Sequence, residues 1–409
     1  MLDVVVVGAG LSGLVCARRL LAGGARVRVV EARDRVGGRL QTGKVGGQVV
    51  DLGGHLMTAT QDRLAALARE LGVESEVAER GGRARFPRGG LFAAIAQWRA
   101  IRRIERMMRE PSPDLDARTL ADHLATIKNR VARERIALHA ELIFAADPAD
   151  LSLLAYLERL GKTGGFMPRG PELPGGGRER YFPAGAQELA TRLAANVEVV
   201  LGSPVTAIED AGSEVHLRTD TQLSAKRVVL AVPPALVRAI AIDLPAPARG
   251  LVDRVGAGGV VKCLVAYATP FWREAGWSGE VYRPTGTVRA TIATGSVVVA
   301  FVVGREAARW AARDPAERKA AVVDALAGEF GDAARAPSDY LEADWAADPW
   351  SAGCVATTPP NVLARGAAWA APHGRIHIAG TESASVWPGY MEGAIEAGER
   401  AAAEVLAAL

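Results

Sequence analysis

A strand–turn–helix at the start of the chain constrains its fold more than any other feature. Val4 to Val7 is a continuous β-branched run, typical of a strand buried on both faces. Gly8-Ala9-Gly10 follows as a turn, and apolar residues then recur at helical spacing from Leu11 to Leu21. A second strand from Arg26 to Val30 leads to Glu31. This βαβ unit predicts an α/β fold with a doubly wound sheet.

The glycines of this turn predict a dinucleotide site. Gly8, Gly10 and Gly13 form the pattern G-x-G-x-x-G between a strand and a helix, where the backbone can approach a pyrophosphate at the helix N-terminus. Glu31 is expected to accept hydrogen bonds from the ribose hydroxyls of the adenosine. The pattern alone does not separate NAD from FAD.

The rest of the chain alternates between helical and strand-like segments. Helices are predicted over Leu56–Leu71, Leu91–Arg109, Thr119–Phe144, Leu151–Leu160, Pro315–Phe330 and Met391–Leu409. A meander is predicted from Val197–Val200, Val205–Glu209, Glu214–Arg218 and Arg227–Val232, with further strands at Val260–Tyr267, Val297–Val303 and Arg375–Ala379. We therefore predict a discontinuous nucleotide-binding domain (1–78, 183–251, 348–409) and an inserted substrate domain of mixed sheet and helices (79–182, 252–347).

Composition narrows the class of protein. The 409 residues include 49 basic and 46 acidic ones, a near balance that argues against a nucleic-acid binder. No apolar run approaches the ~18 residues of a transmembrane helix. The chain opens directly on a strand without a signal peptide, and its 3 cysteines form no C-x-x-C motif, so a reduced cytoplasmic location is expected. The 6 histidines show no metal-ligand spacing.

Two segments after Glu31 favour a flavin over a nicotinamide. The run from Glu31 to Arg39 contains a glycine pair, Gly37-Gly38, and three arginines whose guanidinium groups are suited to clamp phosphates. Asp51-Leu52-Gly53-Gly54 offers backbone without side chains, on which a flat ring can lie.

These segments resemble the flavin-containing monoamine oxidase family. The resemblance extends to Val260-Val261-Lys262-Cys263, to Phe271-Trp272, to Gly353-Cys354 and to the tail from Trp387 to Ala394, in the family's order. The segment around residues 80–165 matches poorly, and the end of the sequence at Leu409 leads us to expect no C-terminal membrane anchor of the kind found in the animal enzymes. The resemblance implies FAD as cofactor, contacted at Ser12, Glu31, Arg33, Gly38, Arg39, Gly53, Gly54, Val205, Gly380, Glu382 and Met391.

Lys262 and Tyr390 are the catalytic candidates that the resemblance implies. In the family the matching lysine holds a water near flavin N5 and assists the reaction with oxygen. Lys262 shares a strand face with Val260 and Leu264, so it is expected to be buried; the alternative is a lysine that reaches solvent at a strand end. The tyrosine that matches Tyr390 flanks the amine in front of the flavin.

The chain departs from the family at two positions of the substrate pocket. Val355 replaces the second tyrosine of the aromatic cage, which normally follows the cysteine. Leu56 stands where the family usually has an aromatic residue. Half of the cage is therefore missing, which changes the expected substrate preference but not the expected flavin chemistry.

Arg178 and Cys354 each have two interpretations. Arg178 replaces a glutamine of the animal enzymes and either pairs with an anionic group of the substrate or lies solvated in a loop. Cys354 matches a cysteine that forms a thioether to the flavin in those enzymes, but a buried structural cysteine is the usual alternative.

The sequence thus predicts an FAD-dependent amine oxidase. It would transfer a hydride from a carbon bearing an amine to flavin N5, release an imine for hydrolysis, and reduce O2 to H2O2. The alternatives are an L-amino-acid oxidase, a biosynthetic flavin oxidase or desaturase of the same superfamily, and a non-catalytic flavin-binding scaffold. A small-molecule amine and O2 are the expected partners, and a homodimer follows only from the family.

Overall fold

The computed structural model of the chain describes residues 2–78, 81–166, 179–363 and 367–409. Its strands, in chain order, are β1 (Leu2–Val7), β2 (Val27–Val30), β3 (Thr42–Val45), β4 (Gln48–Asp51), β5 (Glu76–Val77), β6 (Arg83–Arg85), β7 (Arg180–Tyr181), β8 (Val199–Val200), β9 (Ala207–Asp210), β10 (Val215–Arg218), β11 (Gln222–Leu230), β12 (Ala241–Ile242), β13 (Gly256–Gly258), β14 (Val260–Ala266), β15 (Trp277–Tyr282), β16 (Ala290–Thr294), β17 (Val297–Val303), β18 (Asp339–Asp344), β19 (Val355–Thr357) and β20 (Ile376–Ile378).

Helices connect these strands and cover their faces. In chain order they are α1 (Leu11–Ala22), α2 (Asp62–Glu70), α3 (Leu91–Arg109), α4 (Leu120–Ala125), α5 (Arg130–Phe144), α6 (Leu153–Lys162), α7 (Gln187–Ala194), α8 (Pro234–Val237), α9 (Ala246–Val252), α10 (Arg305–Ala308), α11 (Pro315–Phe330), α12 (Ala367–Ala370) and α13 (Met391–Ala408). Within the described ranges, no helix is both long enough and apolar enough to span a bilayer.

The larger sheet is built around β1. Its order is β12-β9-β10-β11-β1-β2-β8, and β20 pairs with the second half of β11. The central strands β8, β2, β1, β11 and β20 run parallel, whereas β9, β10 and β11 pair antiparallel. The predicted doubly wound sheet is confirmed. The predicted meander is wrong at its first strand, because β8 pairs with β2 at the opposite edge.

Both faces of this sheet are buried, as the β-branched run of β1 predicts. Val4 and Val6 pack with α1, α2, α7 and α13 on one side. Val5 and Val7 pack with α8, α9 and their neighbours on the other side. The alternation follows from the strand period of two. Helices on both faces are what a parallel sheet requires.

The second sheet has the order β18-β14-β17-β16-β15-β6. Its neighbours pair antiparallel except β6 and β15. The helices α3 to α6 form a separate apolar cluster beside it. The strands of the two large sheets come from different ranges of the chain, and the domain boundaries given above stay a prediction.

Two predicted helices differ from those observed. The helix predicted over Thr119–Phe144 is split, because Thr119 begins α4 with a capping box and Asn129 caps α5 through a bond to the Ala132 N–H. The helix predicted from Leu56 begins only at Asp62. Local side-chain caps therefore split the first of these helices. Gln61 does not cap α2, whose Arg63 and Leu64 N–H groups donate to the distant Glu392 carboxylate.

Candidate active site

A cavity of about 620 Å³ is lined by residues from both large sheets and by α6 and α13. Most of the predicted site residues lie on its wall although they are far apart in sequence. They are Gly8, Gly10, Ser12, Glu31, Arg33, Gly38, Arg39, Gly53, Gly54, Val205, Lys262, Cys354, Tyr390 and Met391.

Three of the predicted residues that the structure describes are not on this wall. Gly13 lies behind the turn, where a Cβ would come within 2.0 Å of the Gly8 carbonyl oxygen, so its role is close packing of helix on strand. Gly380 and Glu382 flank the wall residue Thr381. Arg178 lies outside the described residues.

The glycine turn places the N-terminus of α1 at the cavity wall without a side-chain cap. Gly10 is the N-cap of α1, and no described side chain caps the helix. A Cβ built on Gly10 meets nothing within 4 Å, so the turn leaves open space in front of the helix N-terminus. Free N–H groups and the positive end of the helix dipole suit a pyrophosphate. The first half of the cavity therefore fits a dinucleotide such as FAD.

Glu31 is buried at the end of β2 and held by backbone donors. The Ala9 N–H donates to Glu31 Oε2 at 2.8 Å, and the Arg33 N–H donates to Glu31 Oε1 at 2.9 Å. Each carboxylate oxygen keeps acceptor capacity for a further hydrogen bond. This geometry suits the ribose hydroxyls that the sequence assigns to Glu31.

The three arginines after Glu31 bind protein groups. Arg33 donates to Asp348 at 2.6 Å and to Ser351 at 2.7 Å. Arg39 pairs with Glu382 at 2.7 Å and donates to the Cys354 carbonyl oxygen at 2.8 Å. Arg35 is not on the cavity wall and donates to backbone carbonyls of its own loop. The expectation that all three clamp phosphates is therefore wrong for Arg35, whose guanidinium organises the loop.

Lys262 is buried on β14 and directed at the Asp51–Gly53 backbone. Its side chain is 4% exposed, and Nζ donates to the Asp51 carbonyl oxygen at 2.6 Å and to the Gly53 carbonyl oxygen at 2.9 Å. Burial lowers the pKa of Lys262 to about 8, although the charges of Asp51 and Cys354 oppose the shift. The alternative of a lysine that reaches solvent is wrong, because the strand is covered on both faces.

Two further side chains fix this part of the wall. Trp345 donates its indole N–H to the Leu52 carbonyl oxygen at 2.8 Å. Phe301 on β17 lies directly opposite Lys262 in the ladder, and its ring centre is 5.8 Å from Lys262 Nζ. Neither residue was predicted from the sequence, because the ladder register that places them beside Lys262 carries no local motif.

Tyr390 is the N-cap residue of α13, and Met391 begins the helix. Both residues line the cavity, so the positive end of the α13 dipole is directed toward it. The next residue, Glu392, turns away and accepts from the Leu64 N–H at 2.8 Å at the start of α2. The sequence motif therefore combines a cavity-facing tyrosine with a carboxylate that anchors a neighbouring helix.

Cys354 lines the same cavity close to three cations. Burial raises the pKa of its thiol, and the positive charges of Arg39, Lys262 and Arg159 oppose that shift. Val355 and Leu56, where the aromatic cage is interrupted, also lie on the wall. The departures seen in the sequence thus fall inside the cavity.

Arg159 is a cavity residue that sequence reasoning missed. It lies on α6, is 8% exposed, and its Cζ atom is 5.3 Å from the centre of the Tyr390 ring. A basic residue near the end of an amphipathic helix is ordinarily a solvated one. Only the packing of α6 against the Trp387–Tyr390 loop distinguishes Arg159 from such a solvated residue.

The fold and the cavity fit a dinucleotide-binding enzyme with a buried lysine on the cavity wall. The chain matches the flavin-containing amine oxidoreductases over residues 11–406. It is 32% identical over 443 residues to a probable flavin-containing monoamine oxidase A of Dictyostelium discoideum, across 98% of this chain and 97% of the relative. The chain therefore belongs to the family of flavin-containing amine oxidoreductases.

Solved structures give the same result. Cyclohexylamine oxidase from Brevibacterium oxydans IH-35A has a TM-score of 0.92 and 30% identity, over 100% of this chain and 99% of that one. A wild-type putrescine oxidase bound to putrescine has a TM-score of 0.92 and 28% identity, over 99% of both chains. The resemblance read from the sequence is confirmed, and so is the α/β fold.

Proposed function

We propose that this protein is an FAD-dependent amine oxidase that uses O2 as its final electron acceptor. The observation that carries the proposal is the continuity of one cavity. It runs from the free helix N-terminus at Gly10 to the buried ammonium of Lys262 and the ring of Tyr390. Relatives whose names describe oxidation of monoamines, cyclohexylamine and putrescine support the choice of amines as substrate class.

The residues that would hold FAD follow from the cavity wall. The Gly8–Ser12 backbone would bind the pyrophosphate, and Glu31 the ribose hydroxyls. Val205 lies on the wall near this end. The Gly53-Gly54 backbone, fixed by Lys262 and Trp345, would support the flavin ring.

The chemistry divides between cofactor and protein. When bound, FAD would supply the redox chemistry: the neutral amine would lose two electrons and two protons to give an imine, which water would hydrolyse to a carbonyl compound and an amine or ammonia, and O2 would gain the two electrons and two protons as H2O2. Lys262 uses two of its N–H groups on backbone carbonyls and keeps one for a water in the cavity. The dipole of α13 stabilises negative charge that develops beside its N-terminus.

Anaerobic reduction tests the proposal. The purified holoenzyme is mixed without oxygen with benzylamine, cyclohexylamine, putrescine or L-amino acids. We expect at least one of these to bleach the visible flavin absorbance, and readmitted O2 to yield one H2O2 for each carbonyl product. Bound flavin that no compound reduces would support the non-catalytic scaffold instead. The same mixture without amine is the control.

Cys354 leaves two forms of the holoenzyme to separate. Its side chain lines the cavity, as a thioether to the flavin requires, but burial disfavours the thiolate. Acid precipitation distinguishes the forms. Flavin that stays in the pellet of the wild type but not of Cys354→Ala identifies a thioether. Flavin in the supernatant of both identifies noncovalent binding.

A further inference from the structure

Arg159 places a permanent positive charge on the wall of the amine-binding part of the cavity. It lies on α6, whose buried face is formed by Leu153, Leu157 and Leu160. The guanidinium group lies between Phe144, which belongs to that core, and Gly389 of the Trp387–Tyr390 loop. The Trp387 N–H donates to the Lys162 carbonyl oxygen at 3.0 Å, which ties this loop to the end of the helix.

The guanidinium group is closely packed on one side and open to the cavity on the other. A Cβ on Gly389 would come within 2.4 Å of Arg159 Nη2, so only glycine leaves room for the group there. The rings of Phe144 and Tyr390 each have their centres 5.3 Å from Arg159 Cζ. The side chain therefore has little freedom to move toward solvent.

No carboxylate among the described residues pairs with this charge. Arg159 forms no ion pair there, and its buried Nε atom has no hydrogen-bond partner in the described part of the chain. The negative charge of Glu382 attracts the Arg159 guanidinium electrostatically, but the Glu382 carboxylate is already paired with Arg39 at 2.7 Å. Burial lowers the pKa of Arg159, and the Tyr390 phenol and Glu382 oppose this only in part.

A buried guanidinium without a carboxylate is costly to keep. Arginine is almost never fully buried unless it is paired, and an unpaired buried charge strongly destabilises the folded state. Guanidinium also matches a carboxylate in bidentate geometry better than any other side chain does. The missing partner is therefore expected to arrive with the ligand.

We propose that Arg159 binds a carboxylate of the substrate, so that the enzyme prefers amino acids over simple amines and diamines. The inference rests on the proposed amine oxidase function and specifies its substrate class. A substrate with a second ammonium group would place like charges together at Arg159 and bind poorly. On this point the chain would differ from the putrescine oxidase that it resembles in fold.

Paired substrates test the preference. L-Phenylalanine is compared with phenethylamine, and γ-aminobutyrate with propylamine, so that the members of each pair differ by one carboxylate. The carboxylate is near the oxidised carbon in the first pair and far from it in the second. We expect kcat/KM to be higher for the carboxylate-bearing member of one pair. In Arg159→Met that advantage should fall by about 10- to 100-fold, the range for a lost hydrogen bond to a charged group. The pair that responds locates the carboxylate.

The control variant is Lys162→Met, which removes an exposed positive charge from the same helix one turn away. It should leave the ratio unchanged, and Arg159→Lys should restore part of it. Equal loss in Arg159→Met for both members of a pair would overturn the inference while the amine oxidase function stands. No preference for a carboxylate in either pair would overturn it too. Failure of all amines and amino acids to reduce the flavin would instead count against the proposed function.

Binding gives a readout that does not depend on turnover. Phenylacetate carries a carboxylate but no amine, and its Kd is measured by the change in flavin absorbance or protein fluorescence. We expect the Kd to rise about 10- to 100-fold in Arg159→Met, with flavin content unchanged, and to stay the same in Lys162→Met. Equal Kd values in all three proteins would overturn the role of Arg159.

Discussion

Lys262 combines a charge, a fixed position and a lowered proton affinity in one buried side chain. Because two of its N–H groups are bound to backbone carbonyls, Lys262→Met removes both an anchor of the Asp51–Gly53 wall and a cation beside the proposed flavin site. We expect the rate of reoxidation by O2 to fall about 100-fold or more, as for other lost electrostatic groups. Reduction by amine under anaerobic conditions should change much less. Stopped-flow absorbance measures the two half-reactions separately, and equal losses in both would contradict the assignment.

The same lysine links stability to pH. Its pKa is lowered from 10.5 to about 8 in the folded protein, so between these values the unfolded chain holds a proton that the folded chain has released. The free energy of unfolding therefore gains from Lys262 as pH rises through this window, and below it the buried charge carries its full cost.

Urea unfolding of the wild type and of Lys262→Met checks this sign. From about pH 7 to about pH 10, the difference in unfolding free energy should shift in favour of the wild type, by about 1.4 kcal/mol for each unit of pKa shift that is titrated. Comparing each protein with the other cancels the remaining titratable groups. A difference that stays constant over this range would show that Lys262 keeps an ordinary pKa.

At the scale of elements, two glycines between β1 and α1 have different roles. Gly13 serves packing, and Gly10 leaves space for a ligand. A Cβ on Gly13 would lie 2.0 Å from the Gly8 carbonyl oxygen, whereas a Cβ on Gly10 would meet nothing within 4 Å, and Gly10 has an ordinary φ of −73°. Gly13→Ala should destabilise the apoprotein by about 1–3 kcal/mol through overpacking. Gly10→Ala should leave apoprotein stability within about 0.5 kcal/mol.

The two variants should separate the effect on FAD affinity from the effect on the stability of the apoprotein. The Gly10→Ala methyl group projects into the space that the pyrophosphate needs, so we expect FAD affinity to fall at least about 10-fold while the fold is kept. Apoprotein unfolding in urea and titration with FAD give the two quantities. A Gly10→Ala protein with normal FAD affinity would place the pyrophosphate elsewhere.

At the scale of the whole molecule, the cavity joins segments that the chain keeps far apart. Its wall includes Gly10 near the N-terminus, Lys262 in the second sheet and Tyr390 at the start of α13. A ligand that contacts all three binds the folded state and not the unfolded chain. FAD should therefore stabilise the molecule by mass action.

Thermal or urea unfolding with and without FAD measures this coupling. Apoprotein produced under flavin depletion should gain about 2.7 kcal/mol when free FAD is present at about 100 times its Kd. Gly10→Ala should gain less at the same FAD concentration, because its affinity is lower. No gain in the wild type would mean that the cavity does not bind FAD.

The sequence by itself determined the elements whose signals are local. The β-branched run of β1, the glycine turn and Glu31 each act through the backbone within a few residues, so pattern and spacing were enough. The tail from Trp387 to Ala394 and the segment around Lys262 identified the family for the same reason. Helix α11 and strand β17 also have the predicted bounds.

The tertiary structure decided the contacts between residues that are far apart in the sequence. β8 joins β2 at one edge of the sheet instead of the meander, because parallel pairing is set by crossover packing and not by proximity in the chain. Arg35 organises its own loop, whereas Arg39 reaches Glu382, and no spacing rule separates the two. Arg159 lies on the cavity wall because α6 packs against Gly389. Its burial depends on this packing, which the sequence does not encode locally.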